Sequence, residues 1–230
     1  MSKRRVDVAM FVLLAAVGLL GSPADARAKP SETKVAVVTL TVNNYGGALQ
    51  WGRGDQLIAT TMGEMLEIAE TALARHWTVK PATEFVADES YRALSIGHVK
   101  SGLFAPTVNE HEMPSFTEKR KDVIKGILEK STAQELVRVL EVDAVVLVYS
   151  EWAVATGAWV PTSKPLAKNC VSLYDGSGKQ LFYGRLDVMG RRTLGALGNV
   201  RLNSDTIHHW SAAFASGMND ILEKYGKKLK

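Results

Sequence analysis

Cysteine is almost missing from this chain: Cys170 is the single one in 230 residues. One thiol excludes an internal disulfide framework and any zinc site built on several cysteines. Long apolar runs are scarce too. Val8–Leu20 is the one extended stretch, and no later segment approaches the roughly 20 apolar residues of a membrane-spanning helix. A strong charge excess is also lacking. Residues 1–28 hold four Lys/Arg and two Asp/Glu, so without them the formal charge falls from +4 to +2. Nucleic acid is therefore not an expected partner. Internal repeats and low-complexity linkers are absent as well, which leaves one core of about 200 residues as the simplest organisation.

What is present begins with a three-part leader. Lys3, Arg4 and Arg5 precede the apolar Val8–Leu20, and Ala26-Arg27-Ala28 follows as an A-x-A site. This is the pattern of a secretory signal peptide. Cleavage is expected after Ala28, with Ala26 as the near alternative and an uncleaved anchor as the competing reading. Asp7 beside Arg4-Arg5 favours the general secretory route over twin-arginine export. No cysteine follows the apolar core to carry a bacterial lipid anchor. The expected location is the bacterial periplasm or the medium, with no transmembrane span left after cleavage. The closing lysines, Lys224, Lys227, Lys228 and Lys230, read first as a solvated helix end that suits the helix dipole. Their second reading is a contact with anionic lipid or a cell-wall polymer.

The mature part, residues 29–230, reads as one α/β (α+β) domain, a mixed β-sheet with helices packed on it. Val- and Thr-rich Lys34–Val42 predicts a first strand. Asp55 can cap a helix whose apolar stripe runs from Ile58 through Met62, Met65, Ala69 and Leu73 to His76. Trp77–Val86 holds Pro81 and suits an edge strand. A short helix is expected near 88–95, then an irregular insertion over about 97–116. Val123, Ile124, Ile127 and Leu128 predict an apolar helix face, and Ser131 with Gln134 has capping-box spacing for the next helix. Val145–Val148 has the continuous apolar character of a strand buried on both faces. After a break over 157–165, a hairpin turns at Asp175-Gly176, which is expected to supply positive φ. Ser204 is expected to cap a terminal helix carrying Ile207, Trp210, Phe214, Met218, Ile221, Leu222 and Tyr225. Cys170, in the alternating KNCVSLY, is expected as a buried strand residue, against an intermolecular bridge or a reactive thiol.

Several candidate sites fail on chemistry. Gly47 and Gly52 have Walker spacing, but Arg53-Gly54 replaces the Lys and hydroxyl that meet phosphate and magnesium. Gly52-Arg53-Gly54 lacks the third glycine of a dinucleotide fingerprint, and Asp55 would repel an anion. Arg53-Gly54-Asp55 matches an adhesion tripeptide by chance. No two histidines have i, i+4 spacing for zinc. His98, His111, Met113, Glu110 and Glu112 form at best a loose constellation, and His208 and His209 are expected on different faces of the last helix. No G-x-S-x-G occurs. Asp88-Glu89 reads as helix-start charge, and Arg191-Arg192 as solvated strand-end charge. No cofactor, metal or catalytic residue is expected. Trp152 and Trp159 read either as packing over the sheet or as an exposed aromatic patch.

Three stretches carry a resemblance. KVAVVTLTV, TAQELVRVLEVDAVVLVYSEW and VSLYDGSGKQLFYGRLD resemble the opening strand, the helix–Asp–buried strand and the Asp-Gly hairpin of the periplasmic α/β domain shared by the TolB amino-terminal domain, the curli secretion protein CsgG and the lipoprotein activator of penicillin-binding proteins. The likeness covers most of residues 34–225. The chain departs in lacking the lipoproteins' anchoring cysteine, TolB's following β-propeller and the curli pore's amphipathic hairpins. The resemblance implies a fold and an accessory or assembly role, with no catalytic residues. The expected function is accordingly that of a non-enzymatic envelope protein. Its partner would be another envelope protein, or a cell-wall or outer-membrane component, met through the loops at 43–54, 97–116 and 155–165. Tyr45, Trp51 and Trp159 are the expected aromatic anchors and Arg53 the polar contact. The alternative is a small-ligand or glycan-binding module using the aromatics around 152–159.

Overall fold

The computed structural model describes residues 31–44, 56–98, 102–157, 162–196, 200 and 203–226. Five strands make the body of a mixed sheet: β1 (Ser31–Asn44), β2 (Trp77–Val79), β6 (Ala144–Thr156), β7 (Thr162–Asp175) and β8 (Gln180–Met189). Their order is β2-β1-β6-β7-β8. β1 runs parallel to β2 and β6, while β6, β7 and β8 are antiparallel neighbours. β3 (Leu103–Phe104) adds to β1 at Val42 and Asn43, and β9 (Gly195–Ala196) adds to β7 at Thr162 and Ser163. The expected mixed sheet, late hairpin and terminal helix are all present.

Burial explains the composition of the strands. Val145, Val146, Leu147 and Val148 are all buried, since β6 lies between two strands and beneath helices on both sides. β8 alternates instead: Phe182 and Gly184 point inward, while Tyr183 and Arg185 are exposed. Such alternation marks a strand with one covered face.

The long helices α1 (Gln56–Leu73) and α5 (Ser204–Gly226) pack side by side on one face. Ile58, Met62, Met65, Leu66, Ala69, Ala72 and Leu73 form the buried stripe of α1. The helix expected to run to about Trp77 is shorter, because the chain leaves it after Leu73 and Trp77 already belongs to β2. That strand holds the expected edge position, with Pro81 beyond it. On α5, Ile207, Trp210, Phe214, Met218, Ile221 and Leu222 are buried as expected, and each large apolar side chain so buried stabilises by roughly 1.5–3 kcal/mol. The cap is one residue earlier than expected: Asn203 Oδ1 accepts the backbone N–H bonds of Asp205 and Thr206, both at 3.0 Å.

The opposite face carries α2 (Glu89–Ala93), α3 (Arg120–Ile124) and α4 (Lys130–Leu140). Gly126 breaks the helix expected through Leu128. Its φ is +57°, and a Cβ there would lie 2.2 Å from Ser172 Oγ. Ile127 is consequently turned to solvent instead of joining Val123 and Leu128 inside. α4 begins before Ser131, with Glu129 at the cap position and no side-chain capping bond. Gln134 donates to the Ser177 carbonyl instead of closing a capping box.

Two loops also differ from expectation. Within 97–116 the described residues hold β3 and a hairpin of β4 (Thr107–Val108) and β5 (His111–Glu112). Asn109 and Glu110 both have positive φ there, the geometry of a primed turn, usually signalled by Asn-Gly. At the β7–β8 turn the positive φ falls on Gly178, not Gly176. Asp175 instead ties the turn, with Oδ1 accepting from Ser177 N, Ser177 Oγ and Lys179 N. Its carboxyl is held below the usual range, first by the Ser177 side-chain bond. β7 also starts well before the expected hairpin, so Pro165 lies in the strand opposite Val154.

Candidate functional site

The parallel arrangement fixes where the connections emerge. β1 and β6 run the same way, so Asn44 and Thr156 lie at the same end of the sheet. β3 meets β1 at that end, and β7 begins there opposite β6. The segments leaving Asn44, preceding Gly102 and joining Gly157 to Thr162 therefore all start from one edge of the molecule. In open α/β sheets the carboxyl ends of the parallel strands are where ligands are met. Tyr45, Trp51, Arg53 and Trp159, together with Asp55 and the phosphate-loop glycines, lie outside the described residues. The structure brings together the points from which their loops depart.

At this end of the sheet a row of polar side chains lies on the α3 side. The register sets Asn43 beside Glu151, Glu151 beside Lys168, and Lys168 beside Asp187. Directly opposed residues share a face. Lys168 Nζ donates to Glu151 Oε1 at 2.6 Å, in a pair largely screened from water. Arg120 of α3 donates from Nη2 to Asn43 Oδ1 at 2.6 Å. One step inward, the Tyr149 hydroxyl donates to Glu151 Oε2 at 3.5 Å. Burial, then the Glu151 charge, pushes the Tyr149 phenol well above its usual range, so it stays neutral. Lys168 is paired with Glu151, Arg120 with Asn43 and Asp187 with Arg185, so each charge of the row has a partner. Sequence reading missed it, because Asn43, Tyr149 and Lys168 come together only through strand register.

The next row holds Cys170 opposite Tyr149 and Arg185. Cys170 is buried in a small cluster with Leu103, Val123 and Tyr149. Burial pushes its thiol up to about 11, which suppresses the thiolate that reactivity needs. The buried-strand reading of this residue holds.

On the other face Trp152 is fully buried and stacks on Trp210, with ring centroids 6.1 Å apart. Trp210 Nε1 donates to the Ala153 carbonyl at 2.9 Å. Of the two readings for Trp152, packing over the sheet is the one realised, and a sugar-binding patch at 152–159 loses that ring. The His208 and His209 rings lie 4.0 Å apart, with His208 exposed and His209 half-buried. The His209 imidazole is held below its usual range, first by burial and then by the charges of His208 and Arg192.

The loose metal constellation does not assemble. His98 Nδ1 lies 3.1 Å from Glu112 Oε2, Met113 is buried, and no group of three or more His, Cys, Asp or Glu among the described residues could hold an ion. A cleft of about 320 Å³ opens between the turn after α2, the 116–119 segment and the start of α4, lined by Ile96, Phe116, Lys119, Asp122, Glu129 and Thr132 among others. The sequence pattern does not report this cleft, since it places Ile127, which lies at the margin, in the core. No helix among the described residues is long and apolar enough to cross a membrane.

No family model and no curated protein matches the sequence. Among solved structures, the chain is similar to the hypothetical protein CT253 from Chlamydia trachomatis, at 10% identity and a TM-score of 0.42 over 86% of this chain and 96% of that one. It is similar to lipoprotein GNA1162 from Neisseria meningitidis, at 15% identity and a TM-score of 0.36 over 82% and 99%. A putative neuraminyllactose-binding hemagglutinin homolog from Helicobacter pylori aligns at 9% identity and a TM-score of 0.36, over 89% of this chain and 86% of that one.

Proposed function

We propose that this chain is an exported, non-enzymatic accessory or assembly protein of the bacterial envelope. It binds another envelope protein through the loop-bearing end of its sheet. One observation carries the reading: the chain at Asn44, Gly102, Gly157 and Thr162, from which parts of the loops at 43–54, 97–116 and 155–165 depart, comes together at the end of the sheet that holds the paired row Asn43–Glu151–Lys168. A docking site of this design needs mobile-length connections on a base that does not deform. Tyr45, Trp51 and Trp159 supply aromatic contact area and Arg53 a polar contact. The leader residues 1–28 and the likeness to the TolB amino-terminal, CsgG and penicillin-binding-protein activator domains support export and an accessory role.

The test is crosslinking in the native envelope from positions 45–55, followed by purification of the captured protein and a direct affinity measurement. Trp51→Ala and Trp159→Ala should each weaken that affinity by about 2 kcal/mol, as truncated interface anchors do. The reading is rejected if no partner is recovered and the purified chain turns over a model substrate. The cleft of about 320 Å³ favours a second reading, a small-ligand module, because its size lies at the lower end of ligand pockets. A thermal shift with envelope-derived sugars or peptides that Thr132→Trp abolishes would select it.

A further inference from the structure

β8 is the last strand of the sheet, and no described strand pairs with its outer edge. It is ten residues long, longer than the usual five or six. QLFYGRLDVM contains neither proline nor lysine, the residues that most often blunt an exposed edge. On its uncovered face Tyr183 is 38% exposed and Met189 55% exposed, with Arg185 and Asp187 between them, 3.6 Å apart.

The backbone phase of this edge follows from one bond. Gly190 N donates to the Pro165 carbonyl at 2.8 Å, which continues the register that pairs Leu166 with Met189. Antiparallel pairs alternate between bonded and non-bonded. Phe182, Gly184, Leu186 and Val188 therefore bond inward to β7. Tyr183, Arg185, Asp187 and Met189 direct their N–H and C=O groups outward. They also carry the exposed side chains.

We propose that β8 pairs antiparallel with β8 of a second copy of this chain, about a two-fold axis at Leu186. That register joins the outward groups of Arg185 to those of the second copy's Asp187, and of Tyr183 to those of Met189. Each pair exchanges two backbone bonds. It is the one self-register that sets each Arg185 opposite an Asp187, so four alternating charges meet at the axis. Centring the pairing on Arg185 or Asp187 would oppose like charges. A two-fold interface must be self-complementary, and the Tyr-x-Arg-Leu-Asp-x-Met pattern meets that condition. The two sheets would join into one, leaving the loop-bearing end of each copy free.

The experiment measures the molar mass of the whole chain, recovered from an expressing bacterium, by light scattering across a concentration series. The expected result is a mass that doubles, with slower amide exchange at Arg185 and Asp187 in the dimer and no change at Gly184. Arg185→Asp alone and Asp187→Arg alone should each weaken association by about tenfold or more, since like charges then face across the seam. The combined Arg185→Asp/Asp187→Arg variant should restore it. Asp187→Pro removes an outward N–H without touching the β7 bonds, and should give a monomer with an unchanged thermal melt. A wild-type chain monomeric at every concentration, a dimer that survives both single reversals, or failure of the combined variant to rescue overturns the proposal.

Discussion

Tyr174 shows how much one hydroxyl can organise. It accepts from Leu128 N and from Gln180 Nε2, and donates to the Gly126 carbonyl, each at 3.1 Å. One donor and two acceptor positions are all used. The bond to Gly126 holds the left-handed residue that breaks α3 from α4, at a point where the chain comes too close to Ser172 for a Cβ. Tyr174→Phe would strand a buried N–H and a buried carbonyl, and should cost about 1–3 kcal/mol in denaturant unfolding. Cys170 gives a second test. With its thiol pushed up to about 11 and its side chain buried, a thiol-reactive dye near pH 8 should label the folded chain far more slowly than the denaturant-unfolded one. Equal rates would place the sulfur in solvent.

Among the elements, the helices were readable wherever their partner was a broad apolar surface. The stripes on α1 and α5 emerged from 3.6-residue spacing alone, because burial against a sheet selects that period. Their ends were less legible. Ser204 and Asn203 are both good capping types, and only the bonds from Asp205 and Thr206 distinguish them. Asn203→Ala should lower stability by about 1 kcal/mol, a drop of roughly 2–4 °C in melting temperature for a chain of this size. Ser204→Ala should leave the melt nearly unchanged. The helix expected through Leu128 failed for a tertiary reason: Gly126 is glycine because Ser172 lies against it, and no local pattern reports that distance. The β4–β5 hairpin escaped notice because Asn109-Glu110 adopts a turn that usually calls for Asn-Gly.

For the molecule as a whole, composition and element order were enough to place a mixed sheet, its late hairpin and its last helix. Strand order and register were not available, since pairing between β1 and β6 joins residues about a hundred positions apart. Asn43 joins the polar row at the loop-bearing end only through that pairing, and Glu151, Lys168 and Asp187 join it through the registers of β6, β7 and β8. Hence the side chains of this row are not legible in the sequence, although the connections that leave the same end are marked by their aromatics and glycines.

The position of β1 has a consequence for the order of folding. Lys34 N donates to Asp143 Oδ2 and Asp143 N to the Lys34 carbonyl, across 109 residues of chain. The neighbours β6, β7 and β8 can close upon one another as successive hairpins, whereas the first strand meets only the short β2 and β3 before its long partner β6 exists. Long-range parallel pairing is slow for this reason. A polypeptide emerging amino end first would leave most of its Val-rich opening strand without that long partner until β6 had followed, an interval in which the exposed edge could recruit the wrong strand.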